Sequence, residues 1–269
     1  MNPEPLLQRR EGNVLILSNN NVAARNALSP EFYAAVMQAL ADAAADDSVG
    51  AVVLTGEGGH FCAGGDLRQL AKRRELPVEV RREKLEGLHD LIRAVRDCPK
   101  PVIAAVEGAA AGAGLSLALA CDMLVAAKNS VFSVAYVKVG LTPDGGATAF
   151  LSEFVSRQVL TELCLTGERI SGERLHQLGA VNRLAEPGQA IVWALGLAQQ
   201  VAQGPELAMA RIKDLCRQAP RNTLEQQLEL EAQYMVQSQE SEESREGIAA
   251  FLEKRSASFR QAPHVPLAE

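Results

Sequence analysis

No CxxC pair occurs in this chain. Its five cysteines, Cys62, Cys98, Cys121, Cys164 and Cys216, are scattered with no histidine at ligand spacing. That pattern marks neither a zinc site nor a disulfide framework, and it fits a reducing cytosol, so the expectation is a cytoplasmic protein. An apolar run of about 20 residues, the length needed to cross a bilayer, is also missing. Glu107, Asp122 and the glycines at 108, 112 and 114 interrupt the least charged span, residues 101–127. The opening MNPEPLLQRREGN has no apolar core, which predicts no secretory signal. Positive charge is not in excess: a net charge of −6 and a pI near 5.4 argue against a nucleic-acid partner. The GxGxxG turn of dinucleotide sites and the GxSxG elbow of serine hydrolases are both absent, and His60, His89, His176 and His264 show no spacing to a nucleophile that would mark a triad.

With 269 residues and 47% hydrophobic content, the chain is long enough for one domain with a small appendage. Short apolar runs at Val14–Ser18, Ala51–Leu54 and Pro101–Val106 read as the first, second and third strands. An amphipathic helix from Ser29 or Pro30 to about Asp46 and a charged one over Val80–Arg96 separate them. This alternation predicts an α/β fold with a mainly parallel sheet. Further short strands fit 123–126 and 131–133. From Ser152 onward the pattern predicts helices near 152–165, 171–178, 188–203, 205–217, 222–239 and 242–257, with a mobile tail QAPHVPLAE.

Two stretches share a grammar of strand, glycine turn and helix. In PVIAAVEGAAAGAGLSLALAC, residues 101–121, glycines break the strand just before a small-residue helix; in TGEGGHFCAGGDL, Gly64 and Gly65 precede a helix that Asp66 is placed to cap. Helix starts expose N–H groups with no intrahelical partner, so each turn is either a half of an oxyanion cradle or an ordinary βα turn. The basic stretch Arg68, Lys72, Arg73, Arg74, Arg81, Arg82 and Lys84 is either an anion-facing surface or a solvated helix face. Asp144, in a Pro-Asp-Gly-Gly loop beside Leu141 and Phe150, is a candidate general base or a helix-capping aspartate.

Together, RNAL at 25–28, GHFCAGGDL at 59–67, PVIAAVEGAAAGAGLSLALACD at 101–122, VGLTPDGGAT at 139–148 and REGIAAFLEKRSASF at 245–259 resemble the crotonase, or enoyl-CoA hydratase/isomerase, superfamily. The resemblance implies a ββα spiral core over residues 1–190 and a C-terminal helical region, 191–269, that helps build a homotrimer or a hexamer. It implies an acyl-CoA thioester as the partner, no membrane, no metal and no cofactor beyond the coenzyme A that the substrate carries. The backbone N–H groups of Gly65 and Ala113 match the pair that holds the thioester oxygen; Arg25, Ala27, Ala63, Asp66 and Leu67 match the stretch around the CoA; Lys254 matches a lysine that reaches CoA phosphates. The two water-activating glutamates of hydratases fall at Ser116 and Tyr136, and neither is a base at neutral pH. Asp144 matches a third catalytic position, in a setting similar to ring-1,2-epoxyphenylacetyl-CoA isomerases and 3-enoyl-CoA isomerases. The implied reaction is an isomerisation through a thioester enolate, with atypical hydration or noncatalytic acyl-CoA binding as alternatives.

Overall fold

Alternation of aliphatic side chains places a core on each side of one sheet. The computed structural model describes residues 4–260. Its strands are β1 (Leu6–Glu11), β2 (Val14–Asn19), β3 (Ala51–Gly56), β4 (Val102–Val106), β5 (Ala109–Ala111), β6 (Met123–Ala127), β7 (Val131–Ser133), β8 (Arg169–Ser171) and β9 (Arg183–Ala185). The α-helices are α1 (Pro30–Ala45), α2 (Leu67–Arg73), α3 (Val78–Asp97), α4 (Ala113–Leu119), α5 (Ala147–Ser152), α6 (Arg157–Thr166), α7 (Gly172–Gln177), α8 (Ala190–Ala202), α9 (Glu206–Gln218), α10 (Leu224–Gln239) and α11 (Glu242–Glu253). A six-stranded sheet runs β1-β2-β3-β4-β6-β9, antiparallel at β1–β2 and parallel elsewhere. A three-stranded sheet runs β5-β7-β8.

Val14, Ile16, Ala51, Val53, Ile103, Ala105 and Val125 face α8 and meet its Ala190, Ala194, Ala198 and Ala202. Their neighbours Leu15, Leu17, Val52, Leu54, Val102, Ala104 and Leu124 belong to the larger core, which also holds buried residues of α1, α3 and α4. Burial on both faces is why β2 and β4 read as unbroken apolar runs. The small residues of α8 let it approach closely: a Cβ on Gly50 would lie 2.5 Å from the Ala202 oxygen. Residue 191 thus falls inside a helix that covers the sheet, and the helices after it begin with α9.

The helix expectations hold to within a few residues for α1 and α3. Ser29 caps α1 by accepting from the Phe32 N–H, and Asp66 caps α2 by accepting from the Arg68 N–H. Three strand expectations are corrected. Val14–Asn19 is the second strand, because LLQRRE pairs ahead of it as a largely exposed edge whose polar face carries no apolar alternation. The turn after β4 contains β5, three alanines too short and small to read as a strand. The region after Ser152 is not all helical: β8 and β9 are three-residue strands fixed by partners distant in sequence. The predicted mobile tail and His264 lie outside the described residues. Among the described residues no helix is long and apolar enough to cross a membrane, and no cluster of His, Cys, Asp and Glu is arranged to hold a metal ion.

Charge ties α9 to the sheet. Lys213 Nζ lies 2.6 Å from Asp122 and donates to the carbonyls of Cys98 and Lys100 at 2.6 and 2.8 Å. Asp122 accepts from the Val102 N–H, the first amide of β4, at 2.7 Å. Lys100, fully buried, pairs with Glu206 at the start of α9, and Arg260 reaches the same carboxylate. Replacing Lys213 with Met leaves Asp122 and two carbonyls without their cation. The expected cost is about 3 kcal/mol in urea unfolding at fixed chain concentration; a loss under about 0.5 kcal/mol, the scale of an exposed pair, would contradict this description.

Candidate active site

The two glycine turns touch through their backbones. Cys62 donates its N–H to Ala109 O at 2.9 Å, and Ala111 donates to Cys62 O at 3.0 Å, so the turn before α2 runs parallel to β5, which leads straight into α4. Gly64, at φ +94°, makes this approach possible: a Cβ there would lie 2.6 Å from Ala111 O and 3.6 Å from the Ala113 nitrogen. Gly114 is as constrained, with Cys62 O at 2.4 Å from its would-be Cβ. Ala113 is the first residue of α4, whose start has no side-chain cap. Neither its N–H nor that of Gly65 donates a hydrogen bond among the described residues. Two unsatisfied donors on adjoining turns can take one anionic oxygen.

Asp144 is tied to the same helix. The hydroxyl of Ser116, fully buried on α4, donates to the Asp144 main-chain oxygen at 3.0 Å, and Tyr136 donates to Asp144 Oδ1 at 2.7 Å. Asp144 Oδ2 has no hydrogen-bond partner among the described residues. Gly145 is at φ +59°, and a Cβ there would lie 3.0 Å from Ser116 Cβ and 3.2 Å from its hydroxyl, so a side chain would strain the backbone and press on Ser116. Phe150 is half-buried against Gly146 and Leu141 is 47% exposed, so the expected enclosure of Asp144 by Leu141 is not formed in the single chain. Burial, reinforced by the Asp144 charge and hydrogen bond, pushes the Tyr136 phenol well up, so it acts as a donor. Burial also raises the Cys62 thiol to about 12, which removes it as a nucleophile.

The remaining expected residues scatter around this group. Arg25 is exposed at φ 51°, and its carbonyl accepts from the Ala63 N–H at 3.0 Å; Ala27 is buried beside it. Asp66 caps α2, and Leu67, 57% exposed, begins it. Lys254 ends α11 in a left-handed conformation, exposed, with no hydrogen bond to the Gly65, Ala113 and Asp144 group. The cations of the 68–84 stretch form no ion pairs among the described residues. A surface cavity of about 570 Å³, lined by Ser133, Lys138 and Arg169 among others, contains none of the expected site residues.

Sequence reasoning passed over three neighbours. Asn26, inside the RNAL motif, is fully buried at φ 59° and donates its amide to the carbonyls of Glu57 and His60. His60 accepts the Ala109 N–H on Nδ1 at 3.3 Å. Tyr33 on α1 is buried, and that burial raises its phenol to about 12, with Arg73 opposing and the Cys62 and Asp144 charges adding. The signal available for Asn26 was its residue type, since Asn is one of the few non-glycine residues that adopt the left-handed region; Tyr33 looked like any core-facing position of an amphipathic helix.

A family model described as enoyl-CoA hydratase/isomerase matches residues 9–262. The 1,2-epoxyphenylacetyl-CoA isomerase of Escherichia coli K12 is 35% identical over 257 residues, 95% of this chain and 98% of that protein. The 2,3-dehydroadipyl-CoA hydratase of the same organism is 33% identical, again over 95% of this chain and 98% of its own length. The crystal structure of an enoyl-CoA hydratase from Polaromonas sp. JS666 superposes with a TM-score of 0.93 at 49% identity, covering 95% of this chain and 99% of that one.

Electrostatics at Tyr33 gives a pH test. Its phenol titrates near 10 when unfolded and near 12 when folded, so above pH 10 the folded state keeps a proton that the unfolded chain releases. Stability is therefore lost as pH rises from 10 to 12, by roughly 3 kcal/mol for a shift of that size. Chemical denaturation across this window should show a shallower fall for Tyr33→Phe; equal slopes would contradict the assignment.

Proposed function

Because this chain belongs to the enoyl-CoA hydratase/isomerase family, we propose that it catalyses an acyl-CoA isomerisation: a double-bond shift, or a related rearrangement, through a thioester enolate. The thioester oxygen lies between the Gly65 and Ala113 N–H groups. Asp144 Oδ2 removes a proton from the α carbon, the electron pair moves onto the thioester oxygen, and the same carboxyl, whose proton exchanges with solvent, protonates the γ carbon as the electron pair returns from the oxygen. Each well-aimed donor contributes roughly 3–4 kcal/mol to such a transition state. The observation that carries the reading is the Tyr136–Asp144 hydrogen bond: it orients one carboxylate oxygen and leaves the other free, and no second carboxylate is hydrogen-bonded to Asp144, Tyr136 or Ser116 among the described residues. A proton shuttle needs one carboxylate, whereas activating and protonating around a water is ordinarily shared between two. Ser116, spent on the Asp144 main chain, holds the loop rather than the substrate.

Arg25, Ala27, Ala63, Asp66 and Leu67 surround the coenzyme A in this reading, and Lys254 of a neighbouring subunit reaches its phosphates. The 1–190 region carries the site and 191–269 carries association into a trimer or a hexamer. Leu224, Met235, Val236, Phe251 and Leu252 on α10 and α11 are each more than half exposed in the single chain, which supports such an interface. Unpaired cysteines fit a cytoplasmic setting. Hydration is the second reading, favoured by the hydratase names among the relatives; Asp144 and Tyr136 then position water.

Incubation of 3-enoyl-CoAs and other acyl-CoAs in deuterated water, followed by mass spectrometry, separates these readings. Isomerisation predicts deuterium at the α or γ carbon without oxygen from solvent, and a loss of about 10²- to 10⁴-fold in Asp144→Asn. Solvent oxygen in the product would favour hydration, and exchange unchanged by the substitution would remove Asp144 as the base. Light scattering should return a mass of three or six chains; a monomer would contradict the association reading.

A further inference from the structure

We propose that Asn26 and His60 are positioning residues that set the Gly65 N–H against the Ala113 N–H, an inference that rests on the oxyanion reading of those two donors. The turn over residues 60–66 belongs to no long helix or strand, so its shape depends on what it is fastened to. One fastening is the short pairing with β5. Asn26 supplies another: its two amide hydrogens go to Glu57 O at 2.8 Å and His60 O at 2.6 Å, the two carbonyls that bracket the tight bend before the turn. Its main-chain oxygen accepts from Asn19 Nδ2 at 3.0 Å, which anchors it to the end of β2. Packing at this point is closed, since a Cβ on Gly56 would lie 2.2 Å from His60 O and 2.5 Å from Asn26 Nδ2. The left-handed backbone of Asn26 is what aims the amide at the bend while Arg25 O and Leu28 N–H hold the far side of the turn, to Ala63 N–H and Gly64 O.

His60 carries the constraint across to the second donor. By accepting the Ala109 N–H, Nδ1 fixes the first residue of β5, and β5 is followed by one glycine and then Ala113. An acceptor Nδ1 places the hydrogen of the neutral ring on Nε2. Gly108, at φ +54°, sits against the ring with no space for a Cβ, 2.3 Å from Gly59 O and 2.5 Å from His60 Nδ1. Asn26 and His60 therefore join the Gly65 turn and the Ala113 turn through a path independent of the Cys62–Ala110 pairing. Asn26 is fully buried, so its effect on the reaction passes through the two donors.

The test uses the full chain and a conjugated aryl-enoyl-CoA, 3-phenylpropenoyl-CoA, whose absorbance moves to longer wavelength when its thioester carbonyl is polarised. Asn26→Gly keeps the left-handed backbone and removes both amide bonds; His60→Phe keeps a ring and removes the acceptor. The expected result is a bound-state shift in the parent protein that falls to half or less in each variant, with Kd for the probe within about threefold and kcat for α-proton exchange down about 10- to 100-fold, below the full loss of a donor. Circular dichroism checks folding, and if Asn26→Gly does not fold, His60→Phe decides. A shift unchanged in the folded variants overturns the inference, as does a variant that loses affinity in proportion to the shift. No shift in the parent protein removes the oxyanion reading and this inference with it.

Discussion

The site depends on a backbone pairing between two glycine turns. Cys62 donates its N–H to Ala109 O and accepts the Ala111 N–H across a gap that Gly64 and Gly114 keep free of side chains. Each turn follows a parallel strand, β3 or β4, so the sheet that fills the core also delivers both turns to one edge. A Cβ at either glycine would collide with a main-chain oxygen, which cannot move aside as a side chain can. The geometry of the N–H pair is thus a consequence of how closely two pieces of backbone can run.

The proposed catalytic groups hang on this frame at short range. α4 begins at Ala113 and carries Ser116 one turn later, and Ser116 holds the main chain of Asp144. Tyr136 then fixes one oxygen of the carboxylate, and its burial keeps it protonated while it does so. The proposed base is held from the same helix whose N-terminus offers a donor, so in this reading the base and the oxyanion donors depend on one element. The C-terminal helices are attached differently, through Lys213, Asp122, Lys100 and Glu206, where paired charge replaces an apolar seam.

Much of this was legible in the sequence because periodicity and punctuation are local. β2, β3 and β4 announce themselves as apolar runs, Ser29 and Asp66 as caps, and Gly64 and Gly112 as the turns that break strand before helix, where the backbone takes positive φ. The match of whole motifs to the crotonase superfamily, carried by the family model and by the 0.93 TM-score to the Polaromonas structure, then fixed the fold. What stayed hidden is non-local. β9 is a strand because β6 lies beside it, and β5 because Cys62 and β7 do. Asn26 stands in a motif that was noticed for its neighbours Arg25 and Ala27, yet its amide partners lie more than thirty residues away. Tyr136 was placed near the chemistry, but that it points at Asp144 is a fact of side-chain direction that spacing does not carry.

The most direct measurement is a crystal structure of Asp144→Asn with an intact 3-enoyl-CoA. The account predicts the thioester oxygen within about 3.1 Å of both the Gly65 and Ala113 nitrogens, with the side chain at position 144 facing the α carbon and still held by Tyr136. A thioester oxygen bound to other donors, or an α carbon out of reach of position 144, would contradict it.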